Sequence, residues 1–282
     1  MTGAAGFSVE WLGDLAGRVV RRRRAGIGEL GWGTIDRRRY SDRLLAQAQR
    51  SWTESAISEY ATAISFGRLV GLLLEARAPI DLSGMFADFI LDEIVHVEMS
   101  ARMAMELGGA APMELDPKTL GVHLGADIDP ALGAAEIALR VSCVGEAFSL
   151  PMLRAMAKAA RHPLPRALFA RIAREEAPHA RAGALVVGWY LERAGAAGVE
   201  HLRAAAIDEI RTLSAYWAGL RSGSDGMSAA GHPVEHVLEL GWLEASDYAV
   251  LARRVTAERV VRPLADMGIP VGLDDVREVL AA

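Results

Sequence analysis

A single cysteine, Cys143, stands among the 282 residues. This excludes an intrachain disulfide and any cluster of thiolate ligands. Lysine is nearly missing too. Lys118 and Lys158 are the only two, so arginine carries almost all the basic charge. The net charge of -5 is mild and of the wrong sign for a dedicated nucleic-acid binder. No window approaches the roughly 18 to 20 uninterrupted apolar residues of a membrane-spanning helix. The opening stretch MTGAAGFSVEWLGDLAGRVVRRRRAG has charges before and after its short apolar part, unlike a secretory signal. The expectation is a cytoplasmic protein with no membrane span and no nucleic-acid partner. Its Arg- and Ala-rich composition fits a GC-rich bacterial genome.

What the chain does have is apolar material, 51% of its residues, enough for a sizeable core. Helix formers dominate, β-branched runs are short, and Gly and Pro cluster between periodic segments, so the chain reads as all-α. Residues 1–45 form an Arg-rich arm, with Arg21 to Arg24 and Arg37 to Arg39, expected to be solvated or to dock a subunit, as in a homodimer. Four long helical patterns follow, near 48–77, 82–108, 130–160 and 165–194. Their connections are short, long, short, the order of a four-helix bundle built from two antiparallel pairs joined by one long crossover. The expected organisation is an arm (1–45), a bundle (46–194) and a C-terminal helical extension packed on it (195–282).

Helical periodicity decides which charges point inward. On the second helix, the stripe through Phe86, Phe89, Ile90, Val97 and Met103 contains Glu93 and His96; Glu98 falls off it and is expected to face water. On the fourth, the stripe through Phe169, Ile172, Ala173, Gly183 and Val186 contains Glu176 and His179. Each pair is three residues apart, so its side chains emerge from adjacent turns on one face. The first helix buries Glu59 with Trp52, Ala56, Phe66 and Leu73, while Glu54 lies on a polar face. From Ile137 to Pro165 the only acid is Glu146, on a stripe with Leu139, Ser142, Ser149 and Leu153.

Four carboxylates buried together must take up protons or find cations. Two divalent ions supply four positive charges, and mixed carboxylate and imidazole ligation suits iron or manganese. One Glu from each of two helices, plus Glu-x-x-His from each of the other two, is a known dimetal arrangement of helical bundles.

On Glu59, Glu93/His96, Glu146 and Glu176/His179, residues 48–194 resemble the ferritin-like di-iron carboxylate superfamily. Separations of 34 residues (Glu59 to Glu93) and 30 (Glu146 to Glu176) suit antiparallel neighbours meeting at one level of the bundle. The resemblance implies two iron ions, or manganese with iron, and O2 as co-substrate. Glu59, Glu93 and His96 would hold one half of the site, and Glu146, Glu176 and His179 the other, with Glu93 and Glu176 bridging. It also implies that Asp92 and Glu175 accept hydrogen bonds from metal-bound imidazoles. Pro178, inside the second motif, departs from a plain helix and should loosen the turn before His179.

The function expected is a non-haem oxidase or oxygenase that oxidises a small organic substrate, with an external electron donor. The alternatives are a ferroxidase or iron-handling protein, and a bundle kept as a scaffold. Roughly ninety residues beyond the bundle favour the first, because they can shape a pocket. An apolar cavity beside the ligands would favour it further. Phe66, Phe89, Phe148, Phe169, Met103 and Met156 are candidates to line such a cavity, and Cys143 lies one turn before Glu146. His232 to His236 match the zinc-protease pattern H-x-x-E-H, but Pro233 makes a poor start for a long motif-bearing helix. His123, His162 and His201 read as surface residues. Tyr60 adjoins Glu59 but faces elsewhere, so it supports no radical role.

Overall fold

Helix starts and stops follow local chemistry. Ser41 caps α2 (Asp42–Glu75) by accepting a hydrogen bond from the Leu44 amide, and Arg77, with positive φ, and Pro79 close its far end before α3 (Ile80–Glu106). Asp129 caps α4 (Pro130–Ala138) and His162 caps α6 (Pro163–Leu191), each followed by a proline that needs no amide partner. The computed structural model describes residues 9–22, 25–113 and 115–281. Arg23 and Arg24 of the Arg-rich arm lie outside these. Among the described residues there is no strand, only an isolated bridge between Met227 and Pro233. The fold is an all-α bundle.

The third bundle helix departs from expectation. Between α4 and α5 (Ala147–Ala159) the chain winds as a π-helix over Leu139–Glu146, with wider turns and i→i+5 bonding. Helix α2 packs along α3, α4 lies beside α2, and α6 packs on α5 and the π segment. The crossover between α3 and α4 is pinned at the far end of α2. There the Ser65 hydroxyl accepts a hydrogen bond from the Val122 amide, and the Arg68 guanidinium donates to the Val122 carbonyl. Gly121, at φ 76°, makes the close approach possible, because a Cβ there would sit 2.9 Å from Ser65 Oγ.

Two expectations need correction. Residues 25–40 are not a free arm. The Arg171 guanidinium donates to the Ala25 carbonyl, Arg102 lies over the Trp32 ring, Arg39 pairs with Glu239, and Gly33 N–H donates to Glu106. Glu98 is buried rather than solvated. It shares a face of α3 with Arg102 and Glu106, one and two turns on, and the packed N-terminal segment covers that face. Before it, α1 (Asp14–Arg21) is a short helix.

Beyond the bundle come α7 (Ala196–Ser214), α8 (Val234–Glu239), α9 (Ala245–Val255), a π turn at Thr256–Val261, α10 (Arg262–Asp266) and α11 (Arg277–Ala281). Trp217, Leu240, Val255, Val261 and Leu264 join the common core. Among the described residues α2 alone is long and apolar enough to cross a membrane, by length and composition only. Its face toward α3 belongs to the core, and Glu59 interrupts its apolar stretch.

Candidate metal centre

Glu93 and Glu176, on α3 and α6, meet at the middle of the bundle, both shut off from solvent. Around them gather the other four residues singled out by periodicity. Glu59, Glu93, His96 and Glu176 form one group, and Glu93, Glu146, Glu176 and His179 a second, with one donor atom of each residue within 4.8 Å of the others in its group. Glu93 and Glu176 belong to both. Among the described residues these are the groups of three or more His, Cys, Asp or Glu able to hold a metal ion. The H-x-x-E-H match gives no such group. Its helix α8 starts only at Val234, and His236 packs edge-on against Tyr40.

The contacts are close but are not those of a hydrogen-bonded cluster. His179 Nδ1 lies 2.9 Å from Glu93 Oε1 and 2.8 Å from Glu176 Oε2. His96 Nδ1 lies 2.8 Å from Glu176 Oε1, and 3.7 Å from both Glu59 Oε2 and Glu93 Oε2. Close as they are, these ring nitrogens have no hydrogen-bond alignment, and both Glu93 oxygens are buried without a hydrogen-bond partner. Buried polar atoms left so are costly, about 1–3 kcal/mol each. Donor atoms that converge on common points, instead of on one another, fit metal ions.

The protonation pattern agrees. Burial pushes Glu59 up to about 8, with Glu93 and Glu176 adding repulsion against His96, and burial also raises Glu146 well above the carboxylate range. Burial disfavours charge on the histidines, yet their carboxylate neighbours outweigh it. His96 is raised well above its ordinary value by Glu175 and Glu176, and His179 to about 12 by Asp92, Glu176 and Glu93. Burial would raise Glu176 as well, but the two imidazoles hold it well below the usual range. Carboxylates packed so closely need protons or cations to balance them.

The acids beside the ligands pair across helices, a pairing that the sequence left open. Glu175 on α6 lies 3.2 Å from Nε2 of His96 on α3, whereas Asp92 on α3 lies 3.6 Å from Nε2 of His179 on α6. The first is a hydrogen bond and the second a longer ion-pair contact. Arg171 holds Glu175 at 3.1 Å. The Ser149 hydroxyl donates to Glu146 at 3.0 Å. Phe89 packs on the His179 ring, 4.1 Å between centroids, and Phe66 meets that ring edge-on. Pro178 does not displace His179: α6 runs through it unbroken, with the proline on the exposed side and His179 fully buried.

A cavity of about 1370 Å³ adjoins the cluster, with Glu59, Glu146 and Glu176 in its wall. A polar stripe of α2 (Gln47, Ser51, Ser55, Ser58, Thr62) forms one side; Phe148, Met152, Leu153 and Met156 supply apolar surface from α5. Phe148 and Met156 thus line it as the sequence suggested, while Phe66, Phe89, Phe169 and Met103 belong to the core. Asp208 and Glu209 of α7 and Tyr216, Trp242 and Tyr248 beyond it add to its wall, which stays open to solvent. Sequence reasoning missed these five; α7 was legible as a helix, but nothing showed which face it turned to the bundle. Arg140 ties the π segment to α7 through Asp208 (2.8 Å) and Glu209 (3.2 Å), and to Glu136 at 2.9 Å. Cys143 is buried, with its thiol pushed up to about 12 by burial, and belongs to neither ligand group. His201 lies 2.7 Å from Glu136, and exposed His123 sits on the cavity rim. Glu54 and Tyr60 are exposed, as expected.

Comparison of the chain with protein-family models, with curated proteins and with solved structures gives no match. The likeness to ferritin-like carboxylate proteins stands on the helical bundle and its buried Glu/His cluster, which is compatible with a di-iron carboxylate site.

Proposed function

We propose that the chain is a dimetal carboxylate oxidase or oxygenase acting on a small organic molecule. The observation that carries this reading is the pairing of two ligand groups, sharing Glu93 and Glu176, with a large cavity whose wall includes Glu59, Glu146 and Glu176. A pair of iron ions, or manganese with iron, would supply redox chemistry with O2 as co-substrate and electrons from an external donor. Glu59 and His96 would hold one ion, Glu146 and His179 the other, and Glu93 and Glu176 both. Glu175 orients the His96 ring through Nε2, leaving Nδ1 for the metal. The packing of Phe66 and Phe89 on His179 excludes water from that side. The cavity favours an organic substrate over the ferroxidase alternative, which needs no such space.

Anaerobic titration with Fe(II), followed by O2 under optical monitoring with and without added amines, acids or aldehydes, tests this. The wild type is expected to bind two ions per chain and to oxidise an added organic molecule. Glu93→Ala should lose both ions while helical circular dichroism persists. Failure of the wild type to bind iron or manganese, or full loading of Glu93→Ala, would overturn the ligand assignment. Oxidation of iron with every organic probe left intact would favour the ferroxidase reading.

A further inference from the structure

The cavity extends well past the ligand cluster toward the N-terminal end of α2, where Leu44, Ala48 and Ser51 line it. Among the residues that line the cavity at that end, two have ring nitrogens with no protein partner. His232 is 3% exposed and its Nε2 makes no hydrogen bond; Trp242 Nε1 is likewise buried and unpaired. Both residues line the cavity. They come from the segment between α7 and α9, outside the four bundle helices, and neither takes part in the ligand cluster. The backbone around His232 is well tied: its amide donates to Ser228 Oγ, its carbonyl accepts from the Ser228 amide, and Pro233 bridges to Met227. A locally fixed imidazole with an unused nitrogen and an indole with an unused N–H thus stand in the wall of one cavity, two polar ring groups open to an incoming partner.

Distance along the bundle can be read from the packing of Trp242. Its ring meets Trp52 at 5.6 Å and Phe169 at 5.8 Å. Trp52 precedes Glu59 by seven residues on α2, and Phe169 precedes Glu176 by seven on α6. At 1.5 Å per residue, Trp242 lies about 10 Å along the bundle axis from the level of the cluster. Over that span Phe148, Met152 and Met156 give the cavity one apolar side between its polar end and the level of the cluster, with the polar stripe of α2 as another side. Positive charge reaches this end from Arg43, whose guanidinium, after burial, is what holds the His232 imidazole below its ordinary pKa. Of the wall acids outside the cluster, Asp208 and Glu209 pair with Arg140, while Glu54, two residues after Trp52 on α2, acts on Tyr216.

We infer that His232 and Trp242 form a head-group subsite for a carboxylate, whose apolar body lies along Met156, Met152 and Phe148 and presents a carbon about two helical turns away to the metal level. The substrate class is a monocarboxylic acid with an extended hydrocarbon body. This rests on the oxidase reading for what happens to that carbon, but not for the binding itself, which needs no metal.

The test is calorimetric titration with decanoate, decan-1-ol and decylamine, each long enough when extended to cover those two turns. Wild type, Trp242→Phe and His232→Leu are compared, each metal-free and iron-loaded, with thermal unfolding as a check on folding. Decanoate should bind the metal-free wild type at least tenfold more tightly than the alcohol or amine. Each substitution should weaken decanoate roughly tenfold, as loss of a hydrogen bond to a charged group does, and leave decan-1-ol within twofold. Equal affinity for the three probes, no binding of decanoate, or variants that bind it like the wild type would overturn the subsite. Binding lost on metal removal and indifferent to either substitution would also overturn it, by placing the carboxylate on the metals. Decanoate binding with the expected variant effects in a protein that takes up no iron would sink the oxidase reading and leave the subsite standing.

Discussion

Glu175 and Asp92 show how much one residue's partner matters. Each sits four residues before a histidine of its own helix, yet each serves the histidine of the other. A helix side chain reaches its own next turn only along the surface, whereas these acids point between α3 and α6. Glu175→Ala should therefore weaken metal binding at the His96 half roughly 10–100-fold, the usual cost of losing such a partner. Stepwise metal titration checks this: the step weakened in Glu175→Ala should be the one lost in His96→Ala. If it is the step lost in His179→Ala, the crossed pairing is wrong. Asp92→Ala should have a smaller effect on the other step, because its 3.6 Å contact is too long for a hydrogen bond.

The π segment is the element on which the second half of the site depends. Leu139–Glu146 ends at a residue of the cluster, and it rests against α6 where Gly183 stands, one turn after His179. A Cβ at Gly183 would lie 2.6 Å from Ser142 Cβ, 2.7 Å from the Ala138 carbonyl and 2.8 Å from Cys143 Sγ. Two of these neighbours belong to the π segment, and one is backbone, so something must shift. Gly183→Ala should cost about 1–3 kcal/mol in urea unfolding, as overpacking does. It should also lower metal occupancy at the His179 half by moving Glu146. Unchanged unfolding and full occupancy would mean that the helices separate freely there.

At the scale of the whole molecule, the cluster sets how stability varies with pH when metal is withheld. The folded chain keeps Glu59 protonated up to about 8, whereas an unperturbed carboxyl ionises near 4.5. Between those values the folded state holds the extra proton, so raising pH works against folding. Glu146 and His96 are shifted the same way, and His179, raised from 6.5 to about 12, extends the trend upward. Glu176, shifted down, acts with the opposite sign only in the acid range. The unfolding temperature of metal-free protein should therefore fall as pH rises from about 5 to 8. Metal should flatten that slope by displacing the protons, with metal uptake strengthening as pH rises. A metal-free midpoint that climbs over this interval would contradict the protonation pattern.

The sequence by itself determined the helices, their short-long-short connections and the six Glu and His residues that meet inside the bundle. A 3.6-residue period forces residues three and four apart onto one face, and a buried face declares itself by its apolar neighbours. Glu59, Glu93, His96, Glu146, Glu176 and His179 could be read for that reason. Tertiary structure alone decided what depends on a partner brought from far along the chain. Residues 32 and 33 meet Arg102 and Glu106, some seventy residues later, on the face of α3 that buried Glu98 shares, and the crossed acids come from the meeting of α3 and α6. The π turn has no local breaker to announce it in LRVSCVGE. The polar end of the cavity needs Trp242 to pack against Trp52, 190 residues away, a proximity that no period within a single helix encodes.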